Sequence, residues 1–374
     1  MDILILNWKD LKHPNVGGAE IIVYELARRL VKAGHKVTWF CRNFIYGTDS
    51  EIQEGIKIIR KGNLVSMYFY APLYYWSLKR KPDLVIDCSN TIYWQTPLWA
   101  LKSKKVAYLN QLAKEVFDYE FPKYLAVFGK ILEKVQYFTY KTTPFFCYSQ
   151  STKEDLVSMG IPEKNISIFP LGIDHSRYVP GRKSKSPLFV CVSRLVRMKR
   201  IDLVIRAMKL VRQKYKNTKL IIIGYGYQRK ELELLRNKLE LQKNVLFHDE
   251  NILFFNYDPK DVKVKAMQTA WAHIFPSVKE GWGMTVTESA ACRTPTIATN
   301  VSGLKDSVIS EKTGIMISAN PSEQELVKAM IRIIKDHSLR EKLAKNSRIR
   351  SKEFTWEKSY KDFETKINYL FKDK

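Results

Sequence analysis

The 374 residues contain no CxxC pair, and the five cysteines (Cys41, Cys88, Cys147, Cys191, Cys292) stand apart from one another. Their odd number and isolation argue against a disulfide framework and against a zinc site, and point to a reducing compartment. Most follow apolar residues in predicted strands, where a cysteine is a small core residue. No run of about 18 apolar residues occurs, so no helix is expected to span a bilayer. The opening MDILILNW carries an acidic residue where a secretory signal carries basic ones, and no signal is expected. The GxGxxG fingerprint is also missing. Gly224-Tyr225-Gly226 is followed by Gln228 and Arg229, and the earlier pair Gly17-Gly18 does not fit it either.

Negative charge is scarce as well. Lys and Arg number 63 against 38 Asp and Glu, a net +25. Such a field draws in anions: a phosphate-bearing substrate, the anionic face of a membrane, or nucleic acid. A generally lysine-rich composition gives the same balance with no partner at all. No nucleic-acid module is recognisable and no basic arm concentrates the charge, so nucleic acid is not expected as a partner.

What is present describes a globular chain long enough for two domains, with 45% hydrophobic and 27% charged residues. Strand patterns at 2–7, 36–41, 56–61, 84–88, 106–109, 145–149 and 166–170 alternate with helical spacings. The alternation starts again with strands at 188–193, 219–224, 245–248, 273–276, 295–299 and 315–317. Strands alternating with helices imply an α/β protein with two doubly wound parallel sheets. RKSKSP (182–187) is short and polar, as an interdomain linker would be. The segment 117–141 mixes Phe, Tyr and Leu with Lys123, Lys130, Lys134 and Lys141. It suits an interfacial helix, and equally an amphipathic helix with its apolar side on the core.

The chain is organised around FPSVKEGWGMTVTESAACRTPTIATNVSG, residues 275–303. It reads as a strand end, a glycine-punctuated loop, a helix over 285–293 and a second strand. Gly281 and Gly283 let the backbone bend sharply and approach a ligand closely. The amides near Gly283, Met284 and Thr285 open a helix, where unpaired N–H groups and the dipole favour an anion. Glu280 and Glu288 frame the loop, and carboxylates accept hydrogen bonds from paired hydroxyls. Phosphate on one side and polyol on the other is the composition of a nucleotide sugar. Upstream, Arg194 offers a planar fork and Lys199 a point charge, placed across a strand-to-helix turn where both can reach one diphosphate. Gly17 and Gly18 end a strand–loop run, where the backbone could meet a phosphate or sugar, or simply pack closely.

Glu280-x7-Glu288 with the EGWG turn resembles the signature of the retaining glycosyltransferases of family 4, which have the GT-B fold. VGGAE (16–20), SRL-x3-K (193–199) and LGID (171–174) resemble that family's glycine loop, diphosphate-binding cations and interdomain hinge. The resemblance implies two Rossmann-like domains facing a cleft. The acceptor-side domain would cover 1–175 and the donor domain 176–352, with a C-terminal helix over 353–374 crossing back. It implies transfer of a sugar from a nucleotide donor to a glycan or lipid-linked acceptor. Arg194 and Lys199 would neutralise the departing diphosphate, Glu280 would hold a donor-sugar hydroxyl, and Glu288 the ribose. Gly17, Gly18, Gly283, Met284 and Thr285 complete the expected donor site. No metal or other cofactor is expected, in agreement with the lack of a DxD between apolar strands.

One departure from the pattern stands at Asn110, in LNQLAKE, where the family carries a histidine. Asparagine hydrogen-bonds a hydroxyl but does not change protonation near neutral pH. A degenerate sugar- or nucleotide-binding relative with little transfer activity is therefore the alternative. His13, near the glycine loop, is expected at the surface. Basic, aromatic segments at 63–81 and 117–141 suggest a cytoplasmic enzyme held peripherally at an anionic membrane face.

Overall fold

The computed structural model describes residues 1–89, 91–248 and 261–372, so the last two positions of the expected C-terminal helix lie outside it. The chain divides into two compact units. The first comprises Met1–Lys114, Tyr124–Pro170 and the residues from Ser359 on. Its strands are β1 (Asp2–Leu6), β2 (Lys36–Cys41), β3 (Ser50–Gln53), β4 (Ile56–Arg60), β5 (Leu84–Ser89), β6 (Lys104–Leu109), β7 (Phe145–Cys147) and β8 (Ile166–Ile168). They form one sheet in the order β3-β4-β2-β1-β5-β6-β7-β8, parallel except where β3 runs against β4. The edge strand β3 is absent from the sequence pattern for a physical reason. It buries no face, and its Ile52 is exposed, so no apolar alternation marks it.

The helices of this half of the chain are α1 (Gly18–Lys32), α2 (Met67–Ser77), α3 (Thr96–Trp99), α4 (Val116–Glu120), α5 (Lys123–Gln136) and α6 (Gln150–Ser158). Of these α4 packs in the second unit. The Ser149 hydroxyl caps α6 by accepting from the Thr152 amide at 3.1 Å. On α5 the inward positions are Ala126 and Glu133, and the Glu133 carboxylate accepts from the amides of Ala113 and Lys114 at 2.5 and 2.8 Å. The apolar residues of α5 therefore point outward, the reverse of an ordinary core helix.

The second unit, Glu115–Lys123 and Leu171–Lys358, is built on a six-stranded sheet. Its strands are β9 (Leu188–Val192), β10 (Lys219–Ile223), β11 (Val245–His248), β12 (Ala272–Phe275), β13 (Thr296–Thr299) and β14 (Gly314–Ile317), all parallel, in the order β11-β10-β9-β12-β13-β14. The helices are α7 (Ile201–Lys214), α8 (Arg229–Lys238), α9 (Val262–Thr269), α10 (Met284–Ala291), α11 (Leu304–Ser307), α12 (Glu323–Lys335), α13 (His337–Ser351) and the start of α14 (Trp356–Lys372).

Both faces of this sheet are covered, so its strands read as unbroken apolar runs. On β9, Phe189 and Cys191 pack toward α7 and α12, while Leu188, Val190 and Val192 pack toward α9. All five cysteines are free and buried, as small core residues. No helix among the described residues is long and apolar enough to cross a membrane.

Four boundaries differ from those expected of the sequence. The first unit ends at Pro170, not 175, because Gly172 lies against the backbone of Trp356 and the Ile173 amide donates to Phe354 O at 3.3 Å. Residues 182–187 are not a linker but a packed part of the second unit. The Ser184 amide donates to Thr269 O at 2.9 Å, and its own carbonyl accepts from Trp271 Nε1 at 2.8 Å. Residues 115–123 join the second unit through their carboxylates: Glu120 Oε1 accepts from the Met198 amide at 2.8 Å, and Glu115 pairs with Lys279 at 3.2 Å. Residues 353–358 stay in the second unit, and from Ser359 on α14 belongs to the first, where Phe363 packs edge-on against Phe146 with ring centroids 5.3 Å apart.

Candidate active site

In the second unit the chain reverses direction across the sheet between β9 and β12, with β10 on one side of this pair and β13 on the other. Such a switch point leaves a crevice outside the carboxyl ends of the two strands, where open α/β sheets bind ligands. The loop after β9 carries Arg194 and Lys199, and the loop after β12 carries Glu280 and Gly283. The amide of Val278 donates to Met198 O at 2.9 Å and ties the two loops together.

Lys199 ends a 3-10 turn (Arg197–Lys199) and is buried, while Arg194 is exposed. The Lys199 ammonium is paired with Glu280 Oε1 and lies 5.2 Å from the centroid of the Phe275 ring. Burial pushes the Lys199 amine below its ordinary range, and the Glu280 carboxylate pulls it back up. The Ser277 hydroxyl donates to the same carboxylate at 2.5 Å. Behind Glu280 the backbone is fixed by Gly303, whose φ is +79° and where a Cβ would lie 2.3 Å from Glu280 O. Only glycine fits there.

Gly283, with φ +86°, forms the left-handed entry to α10, and Met284 and Thr285 make its first turn. Among the described residues no side chain caps this helix start, and the buried Thr285 Oγ1 has no hydrogen-bond partner. Glu288, one turn further, is 4% exposed and faces a different cation. Lys263 Nζ lies 2.8 Å from Glu288 Oε2, close enough for an ion pair but outside hydrogen-bond geometry. The Tyr178 hydroxyl, driven well up by burial and by this carboxylate, sits beside it. The structure thus brings Lys199 and Glu280 into contact, and gives Glu288 separate partners.

In the first unit, Gly17 precedes α1 in an extended conformation, and its amide donates to the Glu20 side chain at 2.6 Å. Glu20 folds back as the helix cap, so the Gly17 amide is already engaged, and Gly18 begins the helix. Asn110 follows β6. Its Nδ2 donates to Ser89 O at 3.0 Å and its Oδ1 accepts from the Tyr148 hydroxyl at 2.7 Å, which fixes the amide's orientation. His13 is buried, not at the surface. Its ring, held neutral near neutral pH by burial and by Arg42 and Lys9, has its pKa pushed down to about 4.

A family model for glycosyl transferases group 1 matches residues 173–350, and one for glycosyltransferase family 4 matches residues 16–177. The chain belongs to the family 4 glycosyltransferases. It is 27% identical over 341 residues to a human protein, one of the subunits of phosphatidylinositol N-acetylglucosaminyltransferase, covering 87% of this chain and 67% of that protein. It is 24% identical over 380 residues to an uncharacterized glycosyltransferase of Methanocaldococcus jannaschii, covering 93% of each. Among solved structures it resembles sucrose-phosphate synthase from Thermosynechococcus elongatus, with a TM-score of 0.83 at 22% identity over the whole of both chains. It also resembles HepE of Anabaena in complex with UDP and glucose, with a TM-score of 0.76 at 14% identity, covering 98% of this chain and 99% of that one. The architecture is that of the GT-B glycosyltransferases.

Two residues of this candidate site carry no motif in the sequence. Lys263 is 3% exposed on α9, and Tyr178 is 4% exposed after the start of the second unit. The signal for Lys263 was its place between Val262 and Val264 with Ala266 and Met267 following, which put an ammonium on an apolar helix face. A buried lysine needs a counter-charge, and Glu288 supplies it.

Proposed function

We propose that this glycosyltransferase moves a sugar from a nucleotide-sugar donor to a glycan or lipid-linked acceptor with retention of configuration and without a metal. The observation that carries the proposal is the Lys199–Glu280 pair at the switch point, beside the uncapped start of α10. In the reaction the bond from the anomeric carbon to the diphosphate oxygen breaks as the acceptor oxygen bonds to that carbon. The acceptor proton passes to the donor phosphate. Negative charge builds on the leaving diphosphate, so cations and helix-terminal amides aimed at it lower the barrier. Lys199, Arg194 and the amides of Gly283, Met284 and Thr285 have those roles. Glu280 accepts from a hydroxyl of the donor sugar, and Glu288 from the ribose. Gly17 and Gly18 give the donor close backbone approach, and Asn110 holds a sugar hydroxyl. The UDP-bound relative HepE supports a nucleotide donor, and the human relative's name supports a lipid-linked acceptor.

A screen of nucleotide sugars read by release of nucleoside diphosphate tests this. Slow release from one donor supports transfer. Binding of a nucleoside diphosphate with no release from any donor, with or without lipid acceptors, leaves the degenerate binding relative.

We further propose that the enzyme works in the cytoplasm at an anionic membrane face. The outward side of α5 presents Tyr124, Val127, Phe128, Ile131, Leu132 and Val135 at helical spacing, with Tyr124 73% exposed and Phe138, just beyond, 72%. Lys134 and Lys141 are exposed beside them. Each such lysine contributes about 1 kcal/mol near an anionic surface, and the rings add apolar burial. Cosedimentation with anionic and neutral liposomes at two salt concentrations is the measurement. Binding that needs anionic lipid and weakens with salt supports the proposal; no binding to either vesicle refutes it.

A further inference from the structure

The second unit holds a cavity of about 740 Å³ outside the expected donor site, since none of Arg194, Lys199, Glu280, Gly283, Met284, Thr285 and Glu288 lines it. Arg197, Arg200 and Arg206 line it, together with Gln228 and the carboxylates of Asp202 and Glu231. Its volume is that of a small-molecule site.

Three features give its chemistry. The first is Gln228, which is 6% exposed and whose Oε1 has no hydrogen-bond partner among the described residues. A buried amide without a partner costs free energy unless something fills it, and an amide accepts from a hydroxyl while donating to an oxygen. The second is Arg197, whose guanidinium is exposed at the rim with no hydrogen bond or ion pair from its side chain among the described residues. A planar fork of this kind is suited to phosphate.

The third is Arg200. It takes a left-handed backbone conformation, φ +51°, that favours glycine or asparagine, yet the position holds an arginine. Its guanidinium is buried and fixed, donating to Ala319 O at 2.6 Å, Tyr119 Oη at 2.6 Å and Asn320 Oδ1 at 2.7 Å. Arg200 and Gln228 are also the residues immediately before α7 and α8, and neither side chain caps its helix. Two helix starts therefore add positive potential to the three arginines.

The geometry points to a second ligand site on this chain, for a small phosphorylated polyol. The phosphate sits on Arg197 and Arg200, a hydroxyl donates to Gln228 Oε1, and further hydroxyls donate to Asp202 and Glu231. The occupant is either a free sugar phosphate or the phosphate headgroup of a lipid. The turn Arg197–Lys199 joins the two sites, since Lys199 at its end pairs with Glu280 while Arg197 faces the cavity.

Isothermal titration calorimetry on the full chain tests this with glucose 6-phosphate and, separately, glycerophosphoglycerol, each in the presence and absence of saturating UDP and GDP. Saturable binding of at least one probe that survives the nucleotides, and that weakens at least tenfold in both Arg197→Ala and Gln228→Leu, is expected. Tighter binding of glucose 6-phosphate assigns the free sugar phosphate, and tighter binding of glycerophosphoglycerol the lipid headgroup. Arg197 is exposed, so its variant keeps the fold. No saturable binding of either probe, abolition of binding by the nucleotides, or unchanged binding in either variant overturns the assignment.

Discussion

Replacing Lys199 by alanine removes a buried ammonium that the structure holds against Glu280. Its effect should exceed that of Arg194→Ala because of where the two cations sit. A charge pair at about 4 Å is worth roughly 4 kcal/mol at an effective dielectric of 20, and about 1 kcal/mol in water. Lys199 is 7% exposed and acts under the first condition, whereas Arg194 is exposed and acts nearer the second. Loss of a preorganised group facing developing charge costs about 2.7–4 kcal/mol, or 10²–10³ in turnover. Lys199→Ala should therefore lower kcat/KM for diphosphate release by about that factor, and Arg194→Ala by about tenfold, or ~1.4 kcal/mol.

Stability changes must be read alongside. Without Lys199, Glu280 keeps the Ser277 hydroxyl but loses its counter-charge, which should cost roughly 1–3 kcal/mol. A Lys199→Met, Glu280→Gln double variant should regain most of that stability and remain inactive. Urea midpoints and initial rates on the same preparations make the comparison. Unchanged turnover in Lys199→Ala, or a larger loss in Arg194→Ala, would refute the argument.

Lys263→Met should destabilise the second unit by about 3–5 kcal/mol, because it strands the buried Glu288 carboxylate; an unchanged melting temperature excludes that pairing. Glu288→Ala should chiefly weaken the affinity for nucleoside diphosphate, and intact affinity by calorimetry removes its ribose role. Gly303→Ala puts a Cβ 2.3 Å from Glu280 O at φ +79°, and should lower the urea midpoint by the equivalent of at least about 2 kcal/mol along with activity. In the first unit, burial pushes the Asp87 carboxyl up to about 6. A raised folded pKa gives stability that is present below about pH 4 and is lost as pH rises through 6, by about 3 kcal/mol. Asp87→Asn should remove that slope between pH 4 and 6, and identical slopes in urea denaturation of both proteins would contradict it.

The sequence by itself determined the two parallel sheets and the order of the site's loops. Apolar runs such as LFVCV on β9 and the alternation of strand and helix are local, and both faces of a parallel sheet demand them. The residues Lys199, Glu280, Gly283 and Glu288 were legible because each stands at a fixed offset from a strand end or a helix start. What required tertiary structure was every feature that depends on residues far apart in the chain. The packing of 115–123 with the second unit rests on Glu120 meeting Met198, and the linker-like 182–187 is held by Thr269 and Trp271. A polar run has the same composition whether it is solvated or hydrogen-bonded to residues far along the chain. The outward apolar face of α5 was equally undecided, since its period of 3.6 gives a stripe without saying which side the core lies on. Glu133, reaching back to the amides of Ala113 and Lys114, settles that direction. The separate partners of Glu280 and Glu288 came last, because charge pairing between Lys263 on α9 and Glu288 on α10 exists only once those helices pack.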